Sequence, residues 1–463
     1  MQVNDTHSAL NATQVARTIE PRSVDEVMNA VGQARARGEA LAICGGRHAM
    51  GGQQFLSDAT LLDMRRLNRA LGFDEGRGLL RVEAGITWPD VIRSYLVRAD
   101  TAVSPWGIRQ KQTGADRLTI GGAVAANIHG RCLSAAPFID DLESLEVVTS
   151  DGELVTCSRT QRPELFSHVV GGYGLFGVVV AATLRLVPRQ QIERVVRMLD
   201  VEQLMDAFDG RIAEGYLYGD FQFATDSRHP GFLRTGVFSC YRPTERLRPI
   251  PAKQRRLTQP DWNRLIELAH RDKQRAFDEF CAFYLATSGQ LYWSDTHQLN
   301  LYLESYHPGL DQRIGASACG SEMITELYVP RRNLAAFMDG VRLDFMANRV
   351  DFIYGTIRLI ERDTQSALPW ARESYACVIF NLHIDHVPES VDAARATFTR
   401  LIDYALLQGG SYYLTYHRFA RNDQLLACHP GIGQFLETKQ RMDPGGVFQS
   451  DWYRHLLAQL AHC

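Results

Sequence analysis

Apolar residues recur along this chain with two periods, and the changes between them mark its elements. In SVDEVMNAVGQARARGEA, Val27, Ala30, Val31 and Ala34 fall at helical spacing. The spacing predicts a helix that Ser23 caps and Gly38 ends. An apolar strand, Leu41–Cys44, follows, and then a loop of Gly45, Gly46, Arg47, His48, Ala49, Met50, Gly51 and Gly52. ATLLDM and GLLRVEAGI read as strands ahead of a helix around WPDVIRSYL. LESLEVVTSDGELV alternates on both sides of Asp151-Gly152, the pattern of a hairpin with a tight turn. In the second half, EMITELYVP, DFIYGTIRLIE and YACVIFNLHID alternate as strands, alongside a charged, partly helical insert, PAKQRRLTQPDWNRLIELAHRDKQRAFDEF. Helices and strands are mixed throughout, an α+β pattern, and 463 residues exceed one ordinary core.

Alternation also sorts the strand faces. Val378, Phe380, Leu382 and Ile384 share one face, while Cys377, Ile379, Asn381 and His383 share the other. Ile357 and Leu359 oppose Thr356 and Arg358, and Glu322 and Glu326 share a face with Ile324. Polar groups projecting from several strands toward one side suit a binding wall. Half-exposed antiparallel strands alternate in the same way for purely structural reasons.

Composition narrows the choice of partners. A hydrophobic content of 45% with 22% charged residues is that of a globular protein, and a net charge of −3 supplies no field that recruits nucleic acid. The basic run 253–256 is followed closely by acidic residues and reads as solvated surface. No apolar run reaches the roughly 20 residues of a membrane span. The polar start MQVNDTHSALNATQ lacks the layout of a signal peptide, so a cytoplasmic location is expected. Nine cysteines are scattered singly, without CxxC pairs, and are expected to be reduced thiols.

Gly172-Tyr173-Gly174-Leu175-Phe176-Gly177 formally matches GxGxxG, yet a helical segment precedes it and a strand follows, the reverse of a dinucleotide fingerprint. The loop 45–52 differs, because a glycine-dense turn after a buried strand can wrap backbone N–H groups around a pyrophosphate. In LTIGGAVAANIHGR, paired glycines among small residues allow backbone to approach something closely. His383, Asp385 and His386 offer ligand atoms, but alternation places His386 on the opposite face, and no metal site is expected.

Taken in order, ICGGRHAMGGQ, VEAGITWPDVI, LTIGGAVAANIHGR and GGYGLFGVVVAATLRLVP resemble the FAD-binding half of the vanillyl-alcohol oxidase family. RMDPGGVFQSDWYRHL resembles that family's closing segment. The nearest subgroups are the sugar and alditol oxidases, the aldonolactone oxidases and the decaprenylphosphoryl-ribose oxidases. The resemblance implies a PCMH-type FAD-binding domain of two subdomains over 1–194, an inserted α+β substrate or cap domain over 195–406, and a C-terminal segment, 407–463, returning to the first. It places Gly45, Gly46, Arg47, Ala49 and Met50 on the FAD diphosphate. Thr119, Gly121, Gly122, Ala126 and Gly130 fall on a second flavin-contacting segment, Gly177 and Val179 near the adenine end, and Tyr413 among the cofactor contacts.

His48 stands where many members bond a histidine to the flavin, so a covalent FAD is implied. The position of a second, cysteinyl bond reads Gln110-Lys111-Gln112 here, which leaves a single link. Arg358 and Glu326 match active-site positions of the alditol and ribose oxidases. Thr356 departs from the alditol oxidases' glutamate, and Tyr416, beside His417, replaces the sugar oxidases' lysine.

The expected activity is oxidation of an alcohol carbon on a sugar-like, polyol or other hydroxylated small molecule by hydride transfer to flavin, with O2 or another electron acceptor. His129, Tyr416 and His417 are the candidate bases, His129 foremost, with Arg358, Glu326, Asn381 and His383 around the substrate. Amine oxidation, oxidative cyclisation and a flavin-binding sensor without turnover are the alternatives.

Overall fold

Ser23 Oγ accepts from Glu26 N at 3.2 Å, Gly38 adopts φ 65°, and between them the helix Val24–Arg37 buries Val27, Ala30, Val31 and Ala34. The computed structural model describes residues 1–98, 105–300 and 306–461. This helix shares a buried cluster with Leu41 and Leu62 of one sheet and Val148 and Val178 of another. The first sheet is parallel, in the order Arg17–Ile19, Thr60–Asp63, Leu41–Cys44. The second is antiparallel, in the order Leu154–Ser158, Leu142–Val148, Val178–Arg185, Leu79–Glu83, Ala70–Asp74. Its predicted hairpin turns at Gly152, whose φ of 81° suits glycine. The helix Pro163–Val169 precedes the GxGxxG match and the strand Val178–Arg185 follows it, as the sequence context requires.

The second half builds an antiparallel sheet of eight strands. Its order is Leu291–Trp293, Gln191–Asp200, Thr235–Pro243, Tyr218–Phe223, Phe352–Ile360, Tyr375–Asp385, Gly320–Pro330, Ser411–Tyr412. The strand Gln191–Asp200 runs through position 194/195, because its pairing with Thr235–Pro243 continues along its whole length. The insert folds as two helices, Gln259–Arg271 and Lys273–Leu285. The architecture is therefore α+β. Among the described residues, no helix is long and apolar enough to cross a membrane. The eight described cysteines are free thiols, and all but Cys319 are buried.

The chain's last segment returns to the first sheet. Leu41 N donates to Val447 O at 2.7 Å and Gln449 N to Leu41 O at 3.0 Å, so Phe448 runs beside Leu41 as a parallel bridge. Asp443 holds this return: its carboxylate accepts from Lys439 Nζ at 2.5 Å, Val447 N at 2.9 Å and Phe448 N at 2.8 Å. Both charged side chains are almost fully buried. Removing one partner of a buried pair leaves an uncompensated charge and costs about 3–5 kcal/mol. Asp443→Ala is therefore expected to shift urea unfolding by that amount, and a loss below about 1 kcal/mol, the scale of an exposed pair, would contradict this role.

Candidate active site

A cavity of about 1160 Å³ lies between the loop that follows Leu41–Cys44, the segment 117–126 and one face of the eight-stranded sheet. The loop turns sharply, with Arg47 in the left-handed region at φ 60°. Arg47 Nη2 bonds Asp63 Oδ2 at 3.0 Å, which ties the turn to the neighbouring strand. Burial opposes ionisation of Asp63, but Arg65 and Arg47 outweigh it and hold the carboxyl below the usual range. The N–H groups of Gly46, Arg47 and Ala49 donate to no protein acceptor among the described residues. Three amides open on a cavity form an anion-binding concavity.

Thr119 caps the helix Ile120–Ala126, its Oγ1 accepting from Gly122 N at 3.3 Å. Gly121 N donates to Ala84 O at 2.7 Å, and Tyr413 OH donates to Ala126 O at 2.5 Å. The segment is thus pinned at both ends. Gly45, Gly46, Arg47, His48, Ala49, Met50, Thr119, Gly121, Gly122, Ala126, Gly177, Val179 and Tyr413 all line the cavity. Gly130 does not line it; its N–H is held by Gln110 Oε1 at 3.2 Å.

His48 Nδ1 lies 2.9 Å from His7 Nε2. Burial first, and then the His7 ring, push His48 down to about 3, so its imidazole is neutral near pH 7. Sequence reasoning missed His7, which sits in an irregular N-terminal stretch without periodicity. Lys111, in the stretch Gln110-Lys111-Gln112, is wholly buried against Asp116 Oδ1 at 2.5 Å.

On the sheet side, Arg358, Asn381 and Tyr416 line the cavity. Arg358 Nε and Nη1, Asn381 Oδ1 and Gln222 Oε1 are buried without a protein partner. Behind this wall, Tyr416 OH donates to Glu326 Oε2 at 3.0 Å, and His129 Nε2 meets Glu326 Oε1 at 2.5 Å. His129 Nδ1 faces Gly130 O at 3.1 Å, so the ring is held between a backbone carbonyl and the Glu326 carboxyl. Burial works against the Glu326 charge, yet His129, Arg358 and Tyr416 together hold the carboxyl below the usual range. Burial and the adjacent Glu326 raise Tyr416 well above an ordinary phenol.

The structure brings His129, Glu326, Tyr416 and Arg358 together, with only Tyr416 and Arg358 reaching the cavity. His417 turns the other way: its Nε2 is 3.1 Å from Ser8 Oγ and its ring stacks on Phe419. His383 is absent from the cavity wall and sits beside His270 and Glu322. Burial, opposed by His270, His307 and Tyr306, leaves Glu322 at about 2. Asp220 and Gln222, also missed, line the cavity from the strand Tyr218–Phe223, where period-two spacing in YGDFQF places them on one face.

Residues 15–158 match the family model described as FAD binding domain. The chain is 33% identical over 180 residues to an uncharacterized oxidoreductase in the fasciation locus of Rhodococcoides fascians, 39% of each chain. It is 32% identical over 216 residues to cytokinin dehydrogenase 2 of Oryza sativa subsp. japonica, 43% of this chain and 36% of that one. Those two alignments span under two fifths of either relative. A longer similarity, 24% identity over 413 residues, relates it to decaprenylphosphoryl-beta-D-ribose oxidase of Mycolicibacterium smegmatis, covering 86% of this chain and 84% of that one.

Proposed function

We propose that this chain, whose residues 15–158 are an FAD-binding domain, is an FAD-dependent oxidoreductase that oxidises an alcohol carbon of a sugar-like, polyol or other hydroxylated small molecule. In this reading 195–406 acts as a substrate domain and 407–463 completes the FAD-binding domain, with the eight-stranded sheet crossing both borders through Gln191–Asp200 and Ser411–Tyr412. The observation that carries the reading is the cavity wall itself. Unpartnered polar atoms of Arg358, Asn381 and Gln222 face the same space as a phenol wired to a buried carboxylate. Buried polar atoms of this kind need partners, and a polyhydroxylated ligand supplies them.

The residues fit the cofactor. A Cβ on Gly46 would fill the cradle, 2.6 Å from Arg117 O, and the open amides of the loop suit a diphosphate. When bound, FAD supplies the hydride acceptor. The loop 45–50 would hold the diphosphate, Thr119 to Ala126 and Tyr413 the adjoining parts, and Gly177 and Val179 the adenine end. Arg358 steadies negative charge near the reacting centre.

Tyr416 is the group that touches the substrate hydroxyl. Burial and Glu326 make it a weaker acid than an ordinary phenol and keep it protonated, so it takes the hydroxyl proton only by passing its own to Glu326 Oε2. His129 acts through Glu326, holding that carboxylate ionised and in place. His417, bonded to Ser8, takes no part. O2 or another electron acceptor would be the co-substrate.

The test is a panel of sugars, polyols, simple alcohols and amines added anaerobically to the purified protein while flavin absorbance is followed. Bleaching by a hydroxylated compound with a carbonyl product supports the proposal; bleaching by an amine alone transfers it to amine oxidation, and no bleaching by any compound to a flavin-binding sensor.

A single covalent link through His48 belongs to the same reading. His48 lines the cavity as a neutral imidazole, with Nδ1 set against His7. Acid precipitation is expected to leave flavin on the peptide that carries His48, detected as added mass, and to release it from His48→Ala. Complete release from the unaltered chain would overturn the link and leave the FAD site standing.

A further inference from the structure

At the cavity edge, Glu322 is surrounded by three histidines from three separate elements. His270 comes from the helix Gln259–Arg271, with Nε2 3.7 Å from Glu322 Oε1. His307 opens the helix His307–Ile314, with Nε2 2.5 Å from Oε2. His383 lies directly opposite Glu322 in the pairing of Gly320–Pro330 with Tyr375–Asp385, and its ring stands edge-on to His270 at 4.6 Å. His307 and the Tyr306 hydroxyl both engage Oε2, which leaves Oε1 facing His270 Nε2 across a gap longer than a hydrogen bond.

Three atoms there are buried without a hydrogen-bond partner: His270 Nε2, Glu322 Oε1 and His383 Nδ1. One ligand atom from each of these residues lies within 4.8 Å of the others, and the side chains of His270, Glu322 and His383 are 5%, 7% and 11% exposed. Buried polar atoms are normally satisfied, so three on one point call for a common partner. Each of the three can donate a lone pair, and a cation satisfies all of them at once.

We propose that His270, Glu322 and His383 form a binding site for a divalent transition-metal cation, with Zn²⁺ the best match. Two imidazole nitrogens and one carboxylate oxygen suit Zn²⁺, whereas Mg²⁺ and Ca²⁺ take oxygen ligands. Bond lengths of about 2.0–2.2 Å require the side chains to close by under about 1 Å on binding. Three protein ligands leave a fourth position. Of the three ligands, Glu322 lines the cavity, with His307 and Asp311 beside it, so the site borders that space. The expectation of no metal rested on His386 facing away from His383. His386 does bond Ser321 Oγ at 2.8 Å instead, but the helix 259–271 and the strand 320–330 bring His270 and Glu322 to His383 from elsewhere.

The test uses the full chain, stripped with a chelator and titrated with Zn²⁺ by calorimetry. One Zn²⁺ per chain is expected, with a thermal midpoint that rises on addition. Losing an outer-shell partner costs a metal site roughly 10–100-fold in affinity. Glu322→Gln and the double change His270→Asn with His383→Asn remove ligands themselves and should lose more, while melting like the parent chain in chelator. Absent stoichiometric binding, or equal affinity in the variants, would overturn the site. Should a variant fail to fold, Co²⁺ added to the unaltered chain decides: visible ligand-field bands from a nitrogen-oxygen site support it, and the spectrum of aqueous Co²⁺ refutes it.

Discussion

Glu326→Gln is expected to keep its fold and its FAD yet reduce the flavin ~10²–10⁴-fold more slowly than the parent, the usual cost of losing a positioned proton acceptor. Glu326 accepts from Tyr416 OH at 3.0 Å and meets His129 at 2.5 Å, at zero side-chain exposure. Glutamine preserves the shape and can still pair with both neighbours, so a purely structural Glu326 would tolerate the exchange. Tyr416→Phe should lose rate to a similar degree, since it removes the phenol between substrate and carboxylate.

A pH profile separates positioning from packing. The Glu326 carboxyl is held below its ordinary range, so its protonation should reduce the parent's rate only in strong acid, and that acid limb should vanish in Glu326→Gln. The same depression is linked to stability. A carboxyl whose folded value is lowered stabilises the fold above its unfolded value, near 4.3, and that contribution is lost as pH falls through the folded value. The variant should therefore lose less stability on acidification than the parent does. Unchanged flavin reduction in both variants would refute the relay.

Gly46→Val is expected to purify largely without FAD. A Cβ at this position would lie 2.6 Å from Arg117 O and 2.8 Å from His48 Cδ2, distances that real Cβ atoms do not tolerate. One obstacle is backbone, so the loop must withdraw from the segment that contains Thr119, and the two walls of the cradle part. Overpacking costs about 1–3 kcal/mol, and at the upper end of that range cofactor affinity falls about 100-fold. Flavin-to-protein absorbance ratios measure the effect. Gly32→Ala, at a half-buried helix position with nothing within 4 Å of the added carbon, should keep full flavin. Full flavin in Gly46→Val would remove the loop 45–50 from the cofactor site.

Much of the fold was legible because its signals are local. Ser23 and Gly38 bound a helix by cap chemistry that involves residues three or four apart. Asp151-Gly152 turns a hairpin for the same reason. Strand faces also read correctly: alternation places Arg358 and Asn381 on faces that the structure turns to the cavity. Gly45, Gly46, Gly121, Gly122 and Gly177, grouped by a resemblance spanning successive motifs, line one cavity together, while Gly130 lies outside it.

What periodicity could not supply was distance between elements. His129 and Glu326 are 197 positions apart, and His7 and His48 are 41 apart. Alternation assigns a face but not which residue on it reaches the cavity. Tyr416 and His417 are adjacent in sequence, yet one faces the cavity and Glu326 while the other bonds Ser8. The sequence by itself determined the helices, the strand faces and the glycine-rich loop, since propensity, capping and period act over a few residues. The pairing of Gly320–Pro330 with Ser411–Tyr412 brings Glu326 to Tyr416 and His129, and its pairing with Tyr375–Asp385 beside the helix Gln259–Arg271 lets His270, Glu322 and His383 meet. Those contacts depend on sheet register and close packing, which no local stretch of the chain encodes.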